Sequence, residues 1–261
     1  MALAEASVRT MTVGGVEIEV DIRGSGAPLL LLASEEQLEV GLPLVDELAK
    51  SHQVIIPSAP GFGHSPRPVW MTNPDDISYV FLDLLAALDV KGVTVLGFSL
   101  GGWIAAEMAT KDTRRIGRLV MVDPYGVKIG GPYDVDIEDM WILHPQKVAA
   151  LKWHDVEKGK RDFAAMSDDQ LTVVAQNVET FARFCWEPYM HNPKLKHRLH
   201  RIDVPTLVLW GENDGLTKAA YGKAYADLIP GAKFATIPAA GHFPHIEQPE
   251  AFGKALKAFI G

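Results

Sequence analysis

Three side chains of this 261-residue sequence could together make an oxygen nucleophile: Ser99, Asp214 and His242. A serine hydroxyl attacks poorly until a base takes its proton, and an imidazole titrating near neutrality can do so. The imidazole needs a carboxylate to fix its tautomer and stabilise the imidazolium that forms. Ser99 lies in Gly97-Phe98-Ser99-Leu100-Gly101, where the glycines leave no Cβ at a sharp strand-to-helix turn. Gly-x-Ser-x-Gly means little by itself in a chain with 23 glycines. Here an apolar run, Val93 to Leu96, precedes it and a helical pattern follows. Apolar runs also precede Asp214 (Thr206 to Trp210) and His242 (Lys233 to Ile237). In an open parallel sheet all three would gather at the carboxyl ends of the strands.

The elements needed to position them follow from pattern. Val13-Gly14-Gly15-Val16 reads as a hairpin turn, and Val16, Ile18, Val20 and Ile22 alternate along the next strand. Leu29–Leu32, Gln53–Ile56 and Leu119–Val122 are short apolar strands of the kind buried on both faces. Helices are expected over Glu36–Lys50, Ile77–Leu88, the stretch after Ser99, Ala219–Leu228 and Pro249–Ile260. From Lys128 to Arg201 strand patterns vanish. Within that stretch Ser167-Asp168-Asp169-Gln170 is a capping box, opening a helix with Leu171, Val174, Val178, Phe181 and Cys185 on its apolar face. The expected organisation is an α/β core of residues 1–127 and 202–261 with a helical cap inserted at 128–201.

The motifs resemble those of the α/β-hydrolase superfamily. Gly97–Gly101 is similar to its nucleophile elbow, Trp210-Gly211-Glu212-Asn213-Asp214 to its acid loop, and Ala240-Gly241-His242 to its histidine loop. Pro60-Gly61-Phe62-Gly63-His64-Ser65 resembles a loop after its fourth strand. The likeness covers nearly the whole chain. It implies a mostly parallel eight-stranded sheet with helices on both faces, a cap after the sixth strand, and a Ser-His-Asp triad. No cofactor or metal is called for. A serine nucleophile argues against the haloalkane dehalogenase and epoxide hydrolase branches, which use aspartate.

One stretch departs from the pattern. Where the family places His-Gly to open the oxyanion hole, this chain has Ala33 and Ser34, then Glu35 and Glu36. The backbone N–H groups of Glu35 and Leu100 remain the expected oxyanion donors, since one lost donor costs about 3–4 kcal/mol of transition-state stabilisation. The two glutamate side chains are expected to face away, as charges at a helix N-terminus. The alternative gives one of them a job in the pocket. Ser34, Phe98, Trp141, Phe181, Trp186 and Phe243 are the candidate pocket residues, in a cap that also carries Tyr133, Trp153, Phe163, Phe184 and Tyr189.

Other chemistry-bearing residues read as structural. Asp123 is a hydrogen-bonder before Pro124, His64 a loop contact, and His245 a packing residue by the last helix. His144, His154, His191, His197 and His200 match no zinc spacing, and Cys185 is buried filler. Arg161 and Arg183 are the cap's basic candidates and read as surface residues; the basic stretch Lys194–Arg201 reads as a solvated connector.

A net charge of −8 disfavours nucleic acid. The cap carries 11 basic and 11 acidic residues, so the acidity belongs to the core. One cysteine excludes an internal disulfide, and Met1–Thr10 has no apolar h-region. These features lead us to expect a cytoplasmic protein with a small-molecule substrate, no membrane partner, and a homodimer left open. The expected reaction is hydrolysis of a small, largely apolar ester. The rivals are C–C cleavage of a diketone-type ring-fission product, against which Phe243 stands where such members often have Trp, and a non-catalytic ligand receptor.

Overall fold

The computed structural model describes residues 7–261 and leaves the side chains of Ser7 and Val40 aside. The reading of Met1–Thr10 therefore lies partly outside the described residues. The strands are β1 (Ser7–Val13), β2 (Val16–Arg23), β3 (Ala27–Leu32), β4 (His52–Pro57), β5 (Val93–Phe98), β6 (Ile116–Val122), β7 (Thr206–Gly211) and β8 (Lys233–Ile237). They form one sheet in the order β1-β2-β4-β3-β5-β6-β7-β8. β2 runs antiparallel to both neighbours, and every pair from β4 onward is parallel. This is the α/β-hydrolase sheet expected from the motifs. Among the described residues no helix is long and apolar enough to cross a membrane.

Alternation along the strands divides the core. Leu30 and Leu32 of β3 face one way with Val95 of β5, against α2 (Pro74–Ala87), α3 (Leu100–Lys111) and α6 (Ala219–Asp227). Leu29, Leu31, Leu96 and Phe98 face the other way, against α1 (Pro43–Ala49) and α8 (Pro249–Ile260). Between β6 and β7 the chain holds α4 (Pro145–Lys152), α5 (Asp168–Cys185) and several short 3₁₀ turns, with no strand of the sheet. A single turn of helix, α7 (Pro244–Glu247), follows His242.

Two expected elements differ. Glu36–Lys50 is not one helix but a 3₁₀ turn over Leu38–Gly41 followed by α1. Pro43 forces the break: it has no amide proton to give, and it holds Leu42 extended at φ −81°, ψ 150°. α5 is capped by Ser167 and Gln170 as the sequence indicates, but its buried face is rotated. Leu171 and Val178 are exposed, at 37% and 60%. Asn177 and Thr180 are buried instead, because Asn177 Oδ1 accepts from Gly63 N–H at 2.9 Å and the Thr180 hydroxyl donates to Gly61 O at 2.8 Å. Hydrogen bonds to the loop after β4 outweigh two apolar side chains.

The elbow depends on missing side chains. A Cβ at Gly101 would lie 2.2 Å from the carbonyl oxygen of Leu32, and one at Gly97 would lie 2.4 Å from that of Gly101. Both neighbours are backbone, so neither can rotate away. Gly101→Ala is expected to destabilise the fold by about 3 kcal/mol, the upper end of ordinary overpacking, read as a lowered urea midpoint at unchanged slope.

Candidate active site

Ser99 occupies the junction of β5 and α3 with φ 51° and ψ −112°, a left-handed backbone that non-glycine residues avoid. Its N–H donates to Val122 O at 2.8 Å, tying the elbow to β6. Asp214 follows β7, and its carboxylate is saturated with donors. Leu216 and Thr217 N–H reach Oδ1 at 2.8 and 3.1 Å, and the Thr217 hydroxyl reaches Oδ2 at 2.6 Å. The same Oδ2 lies 2.7 Å from His242 Nδ1, and His242 Nε2 lies 2.8 Å from Ser99 Oγ. All three side chains are buried. The structure thus brings Ser99, His242 and Asp214 into one hydrogen-bonded line. Tyr125, just beyond β6, stacks on the imidazole with ring centres 5.1 Å apart and planes at 17°.

Asp123 lies behind Asp214. Its Oδ1 accepts from Gly211 N–H at 2.9 Å, as a structural bond across β6 and β7. Burial and the adjacent Asp214 charge push its carboxyl well above the usual range.

The oxyanion side of Ser99 corrects the expectation for Glu35. Its carboxylate points inward: Oε2 lies 2.8 Å from Ser99 Oγ, and Oε1 lies 3.2 Å from Lys152 Nζ and 3.4 Å from Tyr125 OH. Burial alone would raise the Glu35 carboxyl. The Lys152 ammonium, His242, its own backbone N–H and the Ser99 hydroxyl more than offset this and hold it below the usual carboxylate range. The physical reason for the inward turn is the cation supplied by α4. Leu100 begins α3, where the first amides have no partner within the helix.

Glu36 also meets Lys152, at 2.7 Å, and meets Arg161 at 2.7 Å. Burial opposes the Lys152 charge, but Glu36 and Glu35 together raise its pKa above the ordinary lysine value. The end of α4 is fixed in turn. Lys152 O accepts from His242 N–H at 2.7 Å, and Glu247 accepts from Gly241 N–H at 2.6 Å and Asp155 N–H at 2.8 Å.

The expected pocket residues scatter. Phe98 is corrected: it lies on the α1–α8 face of the sheet, its ring 4.3 Å from that of His245 and 6.0 Å from that of Phe252. Period-two alternation puts it opposite the elbow's open side. Ser34 is buried with both its N–H and hydroxyl on Glu39 Oε2 at 3.0 Å, and it holds the loop rather than lining a cleft. Glu39 Oε1 in turn meets His245 Nε2 at 3.1 Å, which gives that histidine its packing role. Phe243 is buried, tilted against Trp153 at 4.8 Å. Phe181 stacks on Tyr125 at 6.1 Å, Trp141 packs on Phe181 at 5.6 Å, and Trp186 packs on Trp141 at 5.6 Å while 60% exposed. These three continue the aromatic row from His242 outward. His64 contacts Asp169 of α5 at 3.3 Å, Cys185 is buried, and Arg183 pairs with Glu179 on the surface.

A model of the Alpha/beta hydrolase family matches residues 35–255. The chain belongs to the alpha/beta hydrolase family. Among curated relatives, the biotin biosynthesis bifunctional protein BioHC of Teredinibacter turnerae is 25% identical over 83% of this chain. This chain spans 40% of that protein's length. A 2-hydroxy-6-oxononadienedioate/2-hydroxy-6-oxononatrienedioate hydrolase of Paraburkholderia phymatum is 25% identical over 95% of this chain and 93% of its own. Among solved structures, a membrane phospholipase A described as a bacterial virulence factor superposes with a TM-score of 0.80 at 23% identity, over 98% of this chain and 86% of its own. That likeness is one of fold.

Lys152, Tyr125 and Glu39 escaped the sequence reading. Tyr125 had a signal, since it stands two residues beyond Asp123 at the carboxyl end of an apolar strand. Lys152 had none, being one of 11 basic residues in the β6–β7 stretch. Its partner Glu35 supplies a pH-dependent test. A carboxyl whose folded pKa is depressed contributes stability above its unfolded value, about 4.3, and loses it as pH falls through the folded one. Lys152→Met leaves that carboxylate buried without its cation. The variant is expected to lose about 3–5 kcal/mol of stability at pH 7, with the deficit shrinking below about pH 4, checked by urea denaturation at both pH values.

Proposed function

We propose that this chain is a serine hydrolase acting on small, largely apolar esters through an acyl-serine intermediate. The observation that carries the reading is the unbroken line Asp214 Oδ2–His242 Nδ1, His242 Nε2–Ser99 Oγ, at 2.7 and 2.8 Å. In this reading Ser99 attacks the ester carbonyl as its proton passes to His242. Asp214 holds the Nδ1–H tautomer and stabilises the imidazolium. His242 then protonates the departing alkoxide, and a water deprotonated by His242 releases the acid. The Leu100 N–H at the start of α3 serves the oxyanion. Residues 128–201 act as a cap over residues 1–127 and 202–261. The row of Phe181, Trp141 and Trp186 gives the cap an aromatic wall leading away from the imidazole, suited to an apolar acyl or alkoxy group. A cytoplasmic location accords with the single cysteine.

A second reading, C–C cleavage of a diketone-type acid, draws support from the name of the Paraburkholderia relative. It uses the same nucleophile and differs in the leaving group, a carbon that must be protonated. Phe243 weighs against it, and so does the pairing of Lys152 and Arg161 with Glu35 and Glu36, which leaves neither cation free to hold a substrate carboxylate.

The test is a p-nitrophenyl ester series of graded acyl length beside a fluorophosphonate label. Label is expected on Ser99 and lost in Ser99→Ala, and Asp214→Asn should lower kcat by about 10⁴-fold. Label without ester turnover transfers the assignment to C–C cleavage, and no label at all leaves a ligand receptor.

A further inference from the structure

Ser99 Oγ has two partners at the same distance, His242 Nε2 and Glu35 Oε2, each at 2.8 Å. A hydroxyl carries one proton and can donate it once. Two hydrogen bonds in a row therefore need a second proton, placed either on His242 Nε2 or on Glu35 Oε2. Asp214 cannot supply it, because its oxygens already accept from Leu216, Thr217 and His242.

We propose that Glu35 is a further catalytic residue, sharing one proton with His242 across the Ser99 hydroxyl and delivering it to the substrate's carbonyl oxygen. The inference rests on the serine-hydrolase reading given above. In one arrangement Glu35 is a carboxylate accepting from Ser99, and His242 is an imidazolium donating to Ser99. In the other, both protons have moved one step: Glu35 is a carboxylic acid donating to Ser99, and Ser99 donates to a neutral His242. The proton count and the net charge are identical. Only the second has a base ready to take the serine proton.

The surrounding charges make both arrangements accessible. Facing Glu35 are Lys152 from α4, Tyr125 from beyond β6, the buried Cys185 thiol of α5, and His242. Lys152 is nearer to Glu36, at 2.7 Å, than to Glu35, at 3.2 Å, and Glu36 also holds Arg161. Facing His242 are Asp214, with Asp123 behind it, and the stacked Tyr125 ring. Behind the loop, the Glu39–His245 pair holds Ser34. In the resting protein the Lys152 field and the open hydroxyl bond favour the carboxylate. An apolar ester seated against Phe181 and Tyr125 lowers the polarity around the buried pair, which disfavours the separated charges and drives the proton from His242 to Glu35.

The chemical step then balances. The Ser99 Oγ–carbon bond forms as the serine proton goes to His242 Nε2, the carbonyl π pair moves to oxygen, and the Glu35 proton is donated to that oxygen. Collapse re-forms the carbonyl and returns the proton to Glu35, while His242 gives its own to the leaving alkoxide. An acid in this position adds a donor to the Leu100 N–H; as a fixed anion it would repel the oxyanion.

The experiment reads the His242 imidazole by ¹⁵N NMR across pH in the full chain, with turnover of a p-nitrophenyl ester measured in parallel. Glu35→Gln is isosteric and removes the charge. The His242 midpoint is expected to fall by about one pH unit or more, the effect of losing an anion at this range. Lys152→Met removes a cation and should move the midpoint the opposite way. In the unsubstituted protein kcat/KM should decline at high pH as the shared proton is lost, and that limb should vanish in Glu35→Gln. An unmoved midpoint in Glu35→Gln, or a high-pH limb it leaves unchanged, overturns the proposal. The titration needs no turnover, so failure of Ser99 to take a fluorophosphonate sinks the hydrolase reading separately from this one.

Discussion

The contact on which the site depends is the approach of the α3 N-terminus to the end of β3. At Gly101 there is no room for a methyl group between the helix and the carbonyls of Leu32 and Ala33. That closeness has two consequences. It drives Ser99 into a backbone conformation it would not otherwise hold, with its hydroxyl off the top of the sheet. It also brings the loop leaving β3 alongside the hydroxyl, so that the side chain three residues past Leu32 meets Ser99. In this chain that side chain is Glu35.

The fold was legible because its signals are local and repeated. The β-branched runs, the elbow glycines and the loops ending in Asp214 and His242 each state their own role in a few residues, and their chain order joins them. Phe98 and the α5 face were misread for a different reason. Which side of a strand or helix is buried depends on what the rest of the chain brings against it. Asn177 and Thr180 are polar residues made buriable by carbonyl and amide groups of a loop more than a hundred residues away. Glu35 illustrates the limit most sharply. A pair of glutamates after a strand reads as solvated charge, and only a lysine 117 positions later makes an inward carboxylate tolerable.

Lys152 ties that carboxylate to the mounting of the β6–β7 segment. Its ammonium serves Glu35 and Glu36, while its carbonyl receives the His242 backbone N–H. One residue therefore sets both the charge beside Ser99 and the position of the His242 imidazole. Glu247 repeats the arrangement, gathering the N–H groups of Gly241, His154 and Asp155 on one carboxylate. The stretch from the end of α4 to Asp155 is thus part of the histidine loop's own support. α5 is held separately, by its polar contacts to the Gly61–Gly63 turn and by Phe181, Phe184 and Cys185, which are buried in the core.

The electrostatics of the site follow from that mounting. An oxyanion hole made of backbone amides is a fixed field, always pointing the same way. Setting the Glu35 carboxyl beside such amides makes the field depend on a proton, and the proton's position depends on how apolar the site is. With the shared proton on His242, the imidazolium, Lys152 and Arg161 balance Glu35, Glu36 and Asp214, three against three. Moving one proton from His242 to Glu35 leaves two against two and removes the repulsion from the oxyanion side. The neutralised pair is the base and the acid that acyl transfer needs. On the proposed reading, a site built this way gains its carboxyl donor only when an apolar group lies against it, which couples the readiness of Ser99 to the presence of something to attack.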